Sequence, residues 1–332
     1  MSTSLIAIES FLQPLYEYFN QDGVNEILIN RPKEIWVEKK GEIIRYEVDI
    51  LDFDYLRALA DLIAENTNQI ITDERPLLSA TLPNGYRVQI ILPPACESGS
   101  IGYAIRKPTT IQLSLDDYDK MGLFDSVKNK VTDNSVEEKL SEFLKNGNIK
   151  EFLRYAIRER RNMIIAGGTS TGKTTFTNAV LKEIDSSERL ITIEDAREVV
   201  LSNQPNKLHL LASKGGQGKS KVSTQDLIES CLRLRPDRII VGEIRGAEAF
   251  SFLRAINTGH PGSISTVHAD SPAMAIEQLT LMTMQAGLGL PQNEIRSYIK
   301  NIIDVIIQLS RDHETGRRYI SSVYFKYLSS NT

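Results

Sequence analysis

Cysteine is nearly missing from this chain. Only Cys96 and Cys231 occur, far apart in sequence. That excludes a four-cysteine zinc site and leaves no disulfide framework to expect, so both are read as reduced, buried thiols. Long apolar runs are missing too, and none approaches the roughly 18 residues that a bilayer-spanning helix needs. The first twenty residues hold Glu9 and Glu17 but no lysine or arginine. No small-residue cleavage site follows, so no secretory signal is expected. Positive charge is not in excess either. The formal net charge is -4, which argues against clamping nucleic acid on a broad basic surface. No stacking platform for bases is evident, and no repeat or low-complexity tract is found. The expectation is a cytoplasmic protein with at most peripheral membrane contact.

What is present is ordinary for a globular chain: 332 residues, 41 % hydrophobic and 25 % charged, enough for about two domains. Ile6, Phe11, Leu12, Leu15 and Tyr16 fall at near-helical spacing. Strand-like stretches follow at 26–30, 35–38 and 43–48, then a helix over 55–65 with Asp54 as its expected N-cap. Pro83-Asn84-Gly85 marks a turn between 78–82 and 86–92, and a further strand over 100–106 ends at Pro108. Residues 1–108 therefore read as a small α+β domain. Residues 109–150 carry Asp116, Asp117, Asp119, Lys128, Lys130, Asp133, Glu137 and Glu138 with few apolar runs, and read as a long linker with short helices. From 151 to 332 strands alternate with helices, the pattern of a mostly parallel sheet covered by helices.

The most specific signal lies in that last part. Gly167, Gly168, Thr169, Ser170, Thr171, Gly172, Lys173 and Thr174 satisfy G-x-x-x-x-G-K-[ST], after an apolar strand at 163–166 and at the start of a helix that continues with Thr175. Glycines let backbone N–H groups turn toward phosphate oxygens, and the helix N-terminus adds partial positive charge. Lys173 is expected at the β- and γ-phosphates of ATP, and Thr174 on Mg2+. A second stretch, Lys214 to Ser220, resembles such a loop but has Ser213 where the first glycine belongs, and reads as a surface loop.

Two apolar strands end in acid. The stretch 238–243 runs into Glu243, in the manner of the Mg2+-linked acid of a P-loop ATPase, and 190–195 runs into Glu194 and Asp195. Strand C-termini of a parallel sheet face the ligand crevice. Such an acid is often only a helix cap, but two in one P-loop domain point to hydrolysis. His268 ends the strand 264–268 in the same topological position, where it can sense the γ-phosphate. His260 is ambiguous, and His209 and His313 have no supporting context.

The sequence then resembles a known superfamily. IleThrIleGluAsp at 191–195, ArgProAspArgIleIleValGlyGluIleArgGly at 235–246 and ThrGlyHisProGlySerIleSerThrValHisAla at 258–269 look like the Asp box, Walker B region and His box of the secretion traffic ATPases. The stretch 75–108 is similar to the type IV secretion branch, the family of the eleventh VirB component, so the resemblance covers nearly the whole chain. It implies a RecA-like P-loop motor domain over 151–332 with a smaller N-terminal domain, and a homohexameric ring at the cytoplasmic face of the inner membrane. It further implies contact with the system's other cytoplasmic ATPases and inner-membrane components. ATP is implied between the two domains. Glu194 matches the residue that polarises the attacking water, Glu243 the Mg2+-linked acid and His268 the His-box residue. Arg87 and Arg106 match N-terminal arginines that reach the phosphates.

Two departures stand out. Ser170 and Thr171 replace the Gly and Ser of many relatives, and crowding by the Ser170 side chain is expected to alter affinity. The linker is long, as in members whose N-terminal domain packs on a neighbouring subunit. Three rival readings fit the residues less well. Many type II secretion and type IV pilus motors carry a four-cysteine element after Walker B, and this chain has no cysteine after Cys231. A nucleotide-gated scaffold has no need of both acids, and a nucleic-acid motor fits the net charge poorly.

Overall fold

The computed structural model describes residues 3–108, 113–125, 134–213 and 219–328. Residues 214–218 of the second, P-loop-like stretch lie outside the described residues.

Two sheets organise the chain. The first holds β1 (Val24–Ile29), β2 (Glu34–Lys39), β3 (Glu42–Glu47), β4 (Leu77–Thr81), β5 (Arg87–Ile91) and β6 (Gly102–Arg106). It is antiparallel throughout, in the order β3-β2-β1-β6-β5-β4. The β2–β3 hairpin turns on Lys40 and Gly41, both at positive φ (52° and 89°), the backbone that a two-residue turn requires to match strand twist. Helices α1 (Thr3–Phe19) and α2 (Phe53–Asn66) cover one face, where Leu12, Leu15, Leu56 and Ile63 meet Ile27, Val37, Ile90 and Tyr103. The cap of α2 differs from the expectation. Asp52 caps the helix, accepting from Tyr55 N at 2.8 Å, and Asp54 lies in the first turn, beside the positive helix end.

Helices α3 (Leu115–Lys120) and α4 (Ser135–Lys145) fall between the sheets in sequence, and α5 (Ile149–Arg158) opens the second unit. Its sheet holds β7 (Met163–Gly167), β8 (Leu190–Glu194), β9 (Lys207–Leu211), β10 (Arg238–Val241), β11 (Ile264–Val267), β12 (Val305–Arg311) and β13 (Arg318–Phe325). The order is β13-β12-β7-β11-β10-β8-β9, with all neighbours parallel except the β12–β13 hairpin. Between these strands run α6 (Lys173–Leu181), α7 (Thr224–Cys231), α8 (Glu248–Asn257), α9 (Pro272–Met284) and α10 (Gln292–Ile302). Alternation sorts the strands' side chains onto two faces. Ile164, Ile191, Ile239 and Val241 pack under α7–α10, while Met163, Ile165, Leu190 and Ile240 pack under α5 and α6.

The two sheets share one core. Leu28, Trp36, Ile91 and Ala104, on the back of the first sheet, pack in the same cluster as Leu208 and Leu210 of β9. A Cβ on Gly102 would come within 2.8 Å of Leu208 Cδ2, so glycine permits the approach. Backbone pairing continues across the seam, with Leu211 N donating to Ala95 O at 2.9 Å. This covers the otherwise open edge of β9. Arg189, fully buried, bolts the seam: Nε donates to Leu234 O at 3.0 Å and Nη1 to Asn30 Oδ1 at 2.6 Å and to Asn206 Oδ1. Burial pulls its pKa down to about 10, so it remains a cation at neutral pH. Both cysteines are buried free thiols, with burial pushing their pKa upward.

Candidate nucleotide site

β7, β11, β10 and β8 are consecutive in the sheet, and the segments leaving their C-terminal ends line a cleft of about 400 Å³. A crevice outside the carboxyl ends of parallel strands is where such sheets bind ligands.

The loop from β7 is tightly wound. A Cβ on Gly167 would stand 2.5 Å from Thr171 Oγ1 and 2.9 Å from Leu309 O. Ser170 (φ 62°) and Gly172 (φ 89°) both adopt left-handed backbone. Ser170 is exposed, so the cost of serine there is backbone strain rather than the side-chain crowding expected from sequence. Gly172 is the N-cap of α6 and has no side chain to cap it. The first N–H groups of the helix, on Lys173, Thr174 and Thr175, therefore suit an external anion. Lys173 Nζ donates to Gly167 O at 2.8 Å and Gly168 O at 3.1 Å. Burial lowers its pKa, while the Glu243 carboxylate pulls the other way.

A relay of side chains leads away from this lysine. His268 Nδ1 lies 3.4 Å from Lys173 Nζ, and its Nε2 lies 2.9 Å from Glu243 Oε1. The neutral imidazole with its proton on Nε2 satisfies both contacts. Arg245 Nη2 donates to the other Glu243 oxygen at 2.6 Å, and Nη1 to Asp195 Oδ2 at 2.7 Å. Glu243 and His268 stand just past the strands, which end at Val241 and Val267. The structure therefore brings Lys173, His268 and Glu243 together, as the sequence suggested, and adds Arg245, the arginine two positions after Glu243.

Glu194 lines the cleft from the end of β8 and is largely enclosed. It is 5 % exposed, and its Oε1 accepts Glu198 N at 2.9 Å and Val199 N at 2.7 Å. It braces the loop that follows β8. The acid that faces the P-loop threonine is Glu198, whose Oε2 accepts from Thr174 Oγ1 at 3.0 Å. The sequence reading missed Glu198 because it follows the strand end by four residues. Its detectable signal was a second carboxylate on the same post-strand loop. Arg318 of β13 was missed as well: its Nε donates to Ser170 O at 3.1 Å, clamping the loop from the sheet side.

Arg87 and Arg106 do not join this cleft. They are directly opposed in the β5–β6 register, are exposed, and line a separate cleft of about 1350 Å³ that also holds Arg235 and His260. Among the described residues no three His, Cys, Asp or Glu side chains form a metal cage. Mg2+ at Thr174 would therefore share its shell with phosphate oxygens and water, the usual habit of that ion.

Fold and cleft define a RecA-like P-loop nucleotide-binding protein with a smaller α+β unit at its N-terminus. The family described as Type II/IV secretion system protein matches residues 10–322. VirB11 of Bartonella quintana is 38 % identical over 329 residues, covering 95 % of this chain and 91 % of its own. PtlH of Bordetella pertussis is 37 % identical over 329 residues, covering 96 % and 95 % respectively. The crystal structure of the VirB11 ATPase of the Brucella suis type IV secretion system, in complex with sulphate, superposes with a TM-score of 0.91 at 36 % identity, covering 98 % of both chains. The chain belongs to the type II/IV secretion system family, within its group of type IV secretion ATPases. No helix of the described residues is long and apolar enough to cross a membrane.

Proposed function

We propose that this protein hydrolyses ATP, with Mg2+, to power substrate transfer and pilus assembly in a bacterial type IV secretion system. It works as a homohexamer held peripherally at the cytoplasmic face of the inner membrane, alongside the system's other cytoplasmic ATPases and inner-membrane components. No direct contact with nucleic acid is part of this reading. The observation that carries it is the uncapped start of α6 beside Lys173, with Thr174 hydrogen-bonded to a carboxylate.

The loop 167–172 and the first N–H groups of α6 bind the phosphates. Lys173 swings from its loop carbonyls onto the β- and γ-phosphates. Thr174, with Glu243 nearby, would hold Mg2+, which supplies charge neutralisation at the transferring phosphoryl group. Glu198 orients the attacking water and accepts its proton as the P–O bond to ADP breaks, while Glu194 holds the loop that presents Glu198. His268 hydrogen-bonds the γ-phosphate and relays its presence to Glu243. Arg87 and Arg106 act on the nucleotide of a neighbouring subunit, since they line a cleft separate from the one at their own P-loop.

Steady-state phosphate release tests the reading, with light scattering in the presence and absence of ATP to follow assembly. Lys173→Ala is expected to abolish Mg2+-dependent turnover. Retained turnover, or none in the wild type under hexamer-forming conditions, would overturn the assignment.

A further inference from the structure

The loop after β8 is gripped from the other unit of the chain. Arg197 extends one guanidinium to three acceptors. Its Nε donates to Glu97 Oε1 at 2.5 Å, and its Nη1 donates to Glu194 Oε2 at 3.3 Å and to Val199 O. Glu97 belongs to the segment joining β5 to β6, which lies against β9: its carbonyl accepts Ser100 N at 3.0 Å, its N–H donates to His209 O at 3.4 Å, and the preceding Cys96 bridges Leu210. Glu194 in turn holds the backbone N–H of Glu198, and Glu198 holds Thr174. An unbroken run of contacts therefore links the N-terminal sheet to the threonine of the phosphate loop.

We infer that Arg197 is a positioning residue that ties the placement of Glu198 to the placement of the N-terminal unit through Glu97. The inference rests on the proposed ATPase reading. An exposed arginine–carboxylate pair alone contributes little. What distinguishes Arg197 is its second end, on the buried Glu194 carboxylate. Loss of the Glu97 carboxylate reorients the guanidinium and loosens its hold on Glu194, whose other oxygen sets the Glu198 and Val199 amides. The run meets the phosphate loop at Thr174, through Glu198, so its effect is expected on turnover rather than on nucleotide affinity.

A double-mutant cycle tests this. Glu97→Gln and Arg197→Gln are each expected to lower kcat about 3- to 10-fold, in the range of couplings carried by positioning networks, with KM for ATP unchanged. The double variant is expected to be no worse than either single. Multiplicative losses, unchanged kcat in Glu97→Gln, or a change in KM alone would overturn the coupling. A second readout does not use turnover. In Glu97→Gln, hydrogen exchange at the Glu198 and Val199 amides is expected to quicken while α6 amides stay as they were. Unaltered exchange there also overturns the inference. If the wild type fails to hydrolyse ATP, the proposed function falls, and the exchange experiment still decides whether Glu97 holds the loop.

Discussion

Exchanging one oxygen for NH2 at two neighbouring carboxylates separates the brace from the chemistry. Glu194 is buried and its Oε1 serves two backbone N–H groups, while its Oε2 faces Arg197. In Glu194→Gln the single remaining oxygen can serve the amides or face Arg197, but not both. A buried donor left without its acceptor costs about 1–3 kcal/mol, and for a domain of this size each kcal/mol lowers Tm by about 2–4 °C. Glu198 is exposed, and Gln there keeps a carbonyl oxygen for the Thr174 hydroxyl. Its stability should change by no more than about 0.5 kcal/mol. Its turnover should nevertheless fall about 10²- to 10⁴-fold, the usual worth of a side chain that takes the proton of attacking water. Calorimetry and phosphate release on both variants suffice. A Glu198→Gln protein with full turnover, beside a Glu194→Gln protein that is inactive yet melts like the wild type, would refute the assignment.

Two further outcomes are expected. Burial, then the Arg197 charge, lowers the His209 pKa from 6.5 to about 4. The unfolded chain therefore binds the extra proton first, and stability present above pH 6.5 should drain away between about 6.5 and 4, by about 3 kcal/mol in all; His209→Gln should flatten Tm against pH over that window, and an unchanged slope would refute this. Arg87→Ala and Lys173→Ala proteins, each inactive alone, should recover activity when mixed and allowed to exchange subunits, because about a quarter of interfaces in a random ring then pair an intact P-loop with an intact arginine wall; exchange without recovery would place both groups in one subunit's site.

Much of the fold follows from local pattern. Strands with apolar side chains on both faces, such as 163–167 and 190–194, sit in the middle of the parallel sheet, and uninterrupted Ile and Leu runs signal that position. Ser271 caps α9 by accepting Met274 N at 3.2 Å, with Pro272 in the first turn, so that start was readable to the residue. The seam between the two sheets was not. It depends on Gly102 meeting Leu208 and on Arg189 reaching Asn30 across 159 positions, and neither periodicity nor propensity carries such a pairing.

The same division runs through the site. Lys173 and Thr174 are fixed by a contiguous motif, because loop and helix terminus are one piece of backbone. Glu194 and Glu198 both line the cleft, and how far each reaches into it is set by where the loop turns after its strand, through two amide hydrogen bonds that sequence does not display. Arg87 and Arg106 go one level further. Two arginines directly opposed on neighbouring strands repel, and among the described residues neither forms an ion pair. Glu26, opposite Arg106 in the β1–β6 register and lining the same cleft with Glu38, offsets part of that repulsion, and an incoming anion would offset the rest. On the proposed reading that anion is a phosphate held by the P-loop of a second copy, and the subunit-mixing experiment decides whether the site is completed where two copies of the chain meet.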